Sequence, residues 1–84
     1  MSDRAEVAAK VRDVMAQVLD LRPAEIGPEL SADSSSAWTS LNHLMLISQL
    51  ENEFGVVFSN QEIKELTSFP AILEILIRRL DSVA

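Results

Sequence analysis

The chain predicts an all-α, four-helix bundle with a long loop between the first and second helices and a short third helix. Three observations carry this. Apolar residues recur at intervals of three and four rather than two. Hydroxyl, Gly and Pro residues punctuate the chain where helices should start and stop, and no apolar run has a partner strand. With 84 residues there is room for one domain, which on folding buries only about 60–65% of its unfolded surface. Hydrophobic residues make up 48% of the chain but aromatic ones only 5%, so the core is expected to be mainly Leu, Ile and Val.

Val7, Val11, Val14, Val18 and Leu21 step by four and three, with Met15 beside them, which places a first helix over about residues 3–20. Pro23, Gly27 and Pro28 stop it, and the connection that follows offers only Ile26 and Leu30 as anchors into the core. Connections of this length in compact domains tend to be functional. Thr39 or Ser40 can cap a second helix ending at Phe54, where Gly55 supplies the left-handed residue that closes it. Val56-Val57-Phe58 is too short and isolated for a strand and reads as a buried connection. Ser59-Asn60-Gln61-Glu62 has the form of a capping box and opens the short third helix. Thr67 or Ser68 caps the last helix, Pro70 is tolerated in its first turn, and Phe69, Ile72, Leu73, Leu76, Ile77 and Leu80 form its broad apolar face.

Charge and composition exclude several functions. The net charge of −6 arises entirely between residues 23 and 65, where seven carboxylates face Lys64 alone. Such a surface repels phosphate backbones and suits basic protein surfaces, so no nucleic-acid partner is expected. With no Cys and one His there are no thiolate ligands, no metal-ligating cluster and no nucleophile–base pair, and no glycine-rich phosphate loop or EF-hand loop is present. No enzyme activity is expected. No apolar run approaches the roughly 20 residues needed to cross a bilayer, and the charged, helix-like start of the chain is not a signal peptide, so a cytoplasmic protein without membrane insertion is expected.

The second helix carries two apolar faces. At about 100° per residue, Leu46, Ile47, Leu50 and Phe54 share one sector, while Leu41, Leu44 and Met45 centre roughly 160° away. A small bundle cannot easily bury both. The Leu41 face is expected to be partly exposed, as interaction sites are, with Glu51 and Asn52 extending it, unless the long loop folds back over it. His43 falls on the sector of Ile47 and Leu50, and Trp38 is expected to pack the loop end onto the bundle. Read as a bare residue, Ser40 is a helix cap; a phosphate esterified to its oxygen would also sit at the positive end of the helix.

The run Ser40-Leu41, followed at helical spacing by Leu44, Leu46, Ile47 and Leu50 and then by Glu51-Asn52-Glu53-Phe54-Gly55-Val56, resembles the acyl carrier protein family. The likeness extends through Leu19-Asp20-Leu21, the long loop and Thr67-Ser68-Phe69, so residues 1–84 are read as a single carrier domain. The resemblance implies that Ser40 receives 4′-phosphopantetheine from coenzyme A through a separate magnesium-dependent phosphopantetheinyl transferase. It further implies a carrier that presents an acyl or related group as a thioester to acyl-loading and acyl-using enzymes; the short length favours a free-standing carrier, and a monomer is expected. Leu41, Leu44, Met45 and Glu51 are then the docking residues, and His43, Leu46, Ile47 and Leu50 the candidates for an acyl pocket, with His43 at its mouth. The chain departs from the family pattern in two respects. Thr39 stands where an Asp normally precedes the modified serine, and Asn42, Met45 and Asn52 stand where acidic residues are common. Asp33-Ser34 offers an Asp-Ser pair, but Ser35 rather than Leu follows it and it lies well before the helix, so Ser34 is rejected as the acceptor. The alternative is an unmodified, carrier-like helical interaction module that uses the same exposed face, with Thr39 as its main support.

Overall fold

The computed structural model describes residues 3–82 and shows four α-helices: α1 (Arg4–Leu19), α2 (Ser40–Phe54), α3 (Asn60–Glu65) and α4 (Phe69–Ser82). Among the described residues there is no strand. Asp3 caps α1 by accepting the Ala5 N–H at 3.0 Å, and Asp20 ends it with φ 56° and ψ 46°. Asp tolerates this left-handed conformation better than most side chains, which lets it stop a helix without glycine. The buried side of α1 is Val7, Val11, Val14, Met15 and Leu19, whereas Val18 and Leu21 lie at its rim, so the packed ridge follows the i, i+4 row through Leu19 rather than stepping to Val18.

The long connection is ordered by three devices. Pro23–Glu25 forms a 3₁₀ turn, Ile26 enters the core, and Leu30 packs at its edge. Arg12 of α1 donates from Nε to the Ile26 carbonyl at 3.2 Å and sets its guanidinium 5.2 Å from the centre of the Phe69 ring, tying the loop and α4 to α1. An isolated antiparallel bridge joins Ser31 to Ser68, with the Ala32 N–H donating to the Thr67 carbonyl at 2.8 Å and the Phe69 N–H to the Leu30 carbonyl at 3.1 Å. The loop is thereby fastened beside the start of α4.

Gly55 closes α2 with φ 66°, and the Glu51 carboxylate accepts the Phe58 N–H at 2.9 Å, fixing the turn into α3. Val56 and Phe58 are buried there but Val57 is 74% exposed, which corrects the expectation of a wholly buried connection. Successive side chains of extended backbone point to opposite sides, so the middle residue of three is left outside. The capping box at α3 is complete: Ser59 Oγ accepts the Glu62 N–H at 3.1 Å and Glu62 accepts the Ser59 N–H at 2.8 Å. Arg79 of α4 pairs with Glu62 at 3.4 Å and donates to the Val57 carbonyl. α1 packs against both α2 and α4, and α3 packs on α4 while meeting α2 only sparsely.

Candidate functional site at the start of the second helix

Thr39 is the N-cap of α2, with its Oγ1 accepting the Asn42 N–H at 3.1 Å. A second bond, from Asn42 Nδ2 to the Ala37 carbonyl at 2.7 Å, braces the turn before the cap. Ser40 therefore occupies the first helical position. Its side chain is exposed, and among the described residues nothing bonds its hydroxyl. The first N–H of the helix to find a main-chain carbonyl is that of His43, which bonds to Thr39 O at 2.8 Å. With Asn42 capped, the N–H groups of Ser40 and Leu41 remain free at the positive end of the helix. A free hydroxyl beside free N–H donors fits an esterified phosphate.

Next to Ser40 lies a groove of about 360 Å³, walled by Trp38, Thr39, His43, Leu44, Ala32 and Thr67. Trp38 is buried and donates from Nε1 to His43 Nδ1 at 3.0 Å. His43 Nε2 meets the Ile63 carbonyl of α3 at 3.0 Å. An indole N–H can only donate and a carbonyl can only accept, so this pair of contacts selects the neutral imidazole with its proton on Nε2. Both ring nitrogens are then engaged, leaving His43 no free base for catalysis.

The candidates from the sequence fall into three places. Leu41, Leu44 and Met45 are 67%, 63% and 46% exposed, so the long loop does not cover them and they form a contiguous apolar face beginning beside Ser40. Glu51 lies two turns further along α2, half-buried, with one carboxylate oxygen taken by the Phe58 N–H. Leu46, Ile47 and Leu50 are in the packed core and do not line the groove; of the acyl-pocket candidates only His43 does. The Ser34 hydroxyl is folded into a tight turn with Ser31, accepting the Ser31 N–H at 3.0 Å. Two groove walls escaped the sequence reading. Thr67 leaves the capping of α4 to Ser68, whose Oγ accepts the Ala71 N–H at 3.2 Å, and Ala32 is brought in by the Ser31–Ser68 bridge. The doubled hydroxyl at 67–68 was the available signal, since only one of the two can be the cap.

A family model described as the phosphopantetheine attachment site matches residues 9–76. The chain belongs to the acyl carrier protein family. An acyl carrier protein from Thermosynechococcus vestitus is 30% identical over 74 residues, which is 88% of this chain and 91% of that protein. Another from Rubrobacter xylanophilus is 30% identical over 66 residues, covering 79% and 82% of the two chains. The cofactor of the family is 4′-phosphopantetheine, and its members are carriers that work with biosynthetic enzymes rather than catalysts themselves. Among the described residues no helix is long and apolar enough to cross a membrane.

Proposed function

We propose that Ser40 carries 4′-phosphopantetheine and that the chain presents an acyl or related group, held as a thioester on that arm, to partner enzymes in the cytoplasm. The observation that carries this reading is the division of labour at the start of α2: Thr39 supplies the cap, which leaves the Ser40 hydroxyl exposed and unbonded. In the transfer from coenzyme A, the Ser40 hydroxyl gives up its proton as its oxygen bonds to the phosphorus nearer pantetheine, the pyrophosphate linkage breaks and adenosine 3′,5′-bisphosphate leaves; the free N–H groups of the first turn favour the negative charge of the phosphodiester that results. The arm then supplies a terminal thiol for thioester formation. Tethering raises the local concentration of cargo at each docked enzyme, and weak docking permits release to the next.

Leu41, Leu44 and Met45 are the apolar docking contacts in this reading, because they are exposed and adjoin the attachment point. Glu51 contributes at the far end of the same face. A phosphopantetheinyl transferase and acyl-loading and acyl-using enzymes are the expected partners. Intact-mass measurement after incubation with coenzyme A and a transferase tests the assignment: the wild type gains the mass of the arm and Ser40→Ala does not. A modified Ser40→Ala chain, or a wild type left unmodified by every transferase tried, overturns it. The second reading, an unmodified interaction module, is favoured by Thr39 standing where the family has an acidic residue. Equal capture of partners by wild type and Ser40→Ala supports that reading, and capture that requires the arm removes it.

A further inference from the structure

Two hydroxyl residues stand side by side at the start of α2, and either can cap it. Serine is the better N-cap of the two, so local preference alone would make Ser40 the cap and occupy its oxygen. The structure gives that role to Thr39. Its backbone is extended at φ −80° and ψ 170°, its Oγ1 accepts the Asn42 N–H at 3.1 Å, and its carbonyl accepts the His43 N–H at 2.8 Å. Something beyond the two hydroxyls fixes where the helix begins.

Two side-chain bonds of equal span do so. Asn42 donates from Nδ2 to the Ala37 carbonyl at 2.7 Å, and His43 Nδ1 accepts the Trp38 Nε1–H at 3.0 Å, so each joins a residue of the first turn to the residue five before it. Both ends of this brace are themselves held. Trp38 is buried and its backbone N–H donates to the Ser35 carbonyl at 3.2 Å, while His43 Nε2 is anchored at the Ile63 carbonyl at 3.0 Å. Were residue 40 the extended one instead of 39, the incoming chain would be turned about the helix axis by about 100°, and Ala37 and Trp38 would no longer face Asn42 and His43. Both bonds therefore belong to the frame that Thr39 caps.

We infer that Asn42, His43 and Trp38 are positioning residues for the acceptor serine, holding the cap on Thr39 and so keeping the Ser40 oxygen free. This rests on the proposed attachment at Ser40. None of the three touches the reacting atoms; they act through the register of α2, which leaves Ser40 exposed at the first helical position with its hydroxyl unbonded. The bonds from residues 42 and 43 thus reverse a local preference that would hide the nucleophile.

Amide exchange and transferase kinetics together test this. Protection of the residue-42 amide reports the Thr39 cap, because in the other frame Ser40 Oγ would cap the residue-43 amide and leave that of residue 42 free. Trp38→Phe, which keeps a ring and removes the N–H, and Asn42→Ala each lower that protection by roughly threefold to tenfold, the worth of one net hydrogen bond. The chain bearing both is modified by a phosphopantetheinyl transferase with kcat lowered roughly threefold or more and KM unchanged, since the docking face is intact and only the acceptor is misplaced. At position 43, asparagine sets its carbonyl oxygen where Nδ1 stood, and glutamine sets its amide where Nε2 stood. His43→Asn is therefore expected to keep the protection and His43→Gln to lose it, a contrast that general loosening of the bundle does not produce. Wild-type protection in both Trp38→Phe and Asn42→Ala, equal loss in the two His43 variants, or a raised KM with kcat unchanged overturns the inference; if the His43 variants fail to fold, Trp38→Phe and Asn42→Ala decide. A Ser40 that no transferase modifies overturns the proposed function instead, and the exchange pattern still decides whether these bonds set the start of α2.

Discussion

Ser40→Ala and Thr39→Ala, made side by side, test whether capping and attachment are divided between two residues. Thr39 Oγ1 accepts the Asn42 N–H at 3.1 Å, so Thr39→Ala leaves an orphan donor at the start of α2 and costs about 1 kcal/mol. In a domain of this size that lowers the thermal midpoint by roughly 4–8 °C. The Ser40 side chain makes no bond and faces solvent, and alanine is the better helix former, so Ser40→Ala changes stability by no more than about 0.5 kcal/mol, in the stabilising direction. The two variants are therefore expected to differ in stability by about 1–1.5 kcal/mol, which circular dichroism melts and urea titrations resolve. Thr39→Ala has a second consequence. Without its cap the helix can begin one residue later with Ser40 as the cap, which occupies the oxygen that attachment needs, so transferase-catalysed modification slows as stability falls. A Ser40→Ala chain that melts as far below wild type as Thr39→Ala, or a Thr39→Ala chain modified at the wild-type rate, refutes the reasoning.

Gly55→Ala is expected to cost about 1 kcal/mol, seen as a lower melting midpoint, because the position requires φ 66° although there is open space around it. Leu44→Asp, at a residue 63% exposed, leaves the melting midpoint within a few degrees of wild type but weakens association with an acyl-transferring partner, read by titration calorimetry. Glu62→Ala removes both a capping-box bond and one of the contacts of Arg79, lowering stability by about 1 kcal/mol and speeding amide exchange in α3; most of the loss persists at high salt, since the ion pair is partly exposed and the cap is local.

What the sequence made legible was local, and what it hid was mostly non-local. The ends of α2 and the capping box of α3 follow from neighbouring residues, and Thr39, Gly55, Ser59 and Glu62 stand in the structure as their types predict. The loop's fastening does not follow in that way, because the Ser31–Ser68 bridge joins backbone groups distant in the chain that no side-chain pattern announces. The partner of His43 was hidden for the same reason: it is the main-chain carbonyl of Ile63, and any residue there supplies a carbonyl. Periodicity marked Leu46, Ile47 and Leu50 as one apolar face, but a face that encloses a cavity and a face that packs solidly have the same spacing, and here the face is packed.

Thr39 bears on modification in two opposed ways, and the two separate experimentally. An aspartate at this position caps the helix at least as well and adds a charge to its positive end, which stabilises the unmodified chain by about 0.3–1 kcal/mol. It also offers the negative charge that the resemblance to the family leads one to expect a transferase to meet, so Thr39→Asp is modified faster. Once the phosphodiester is in place, however, two negative charges share one helix end. At about 6 Å in water their repulsion is about 0.7 kcal/mol, and the helix field that a neutral threonine leaves wholly to the phosphate is divided between them. Attachment of the arm should therefore raise the melting midpoint of the wild type by roughly 3–5 °C more than that of Thr39→Asp. Midpoints of the unmodified and modified forms of both chains close the cycle and isolate this coupling from the cap itself. Equal gains on modification would show that the phosphate does not draw on the α2 N-terminus, and the electrostatic part of the Ser40 reading would fall even if the serine proves to be the acceptor.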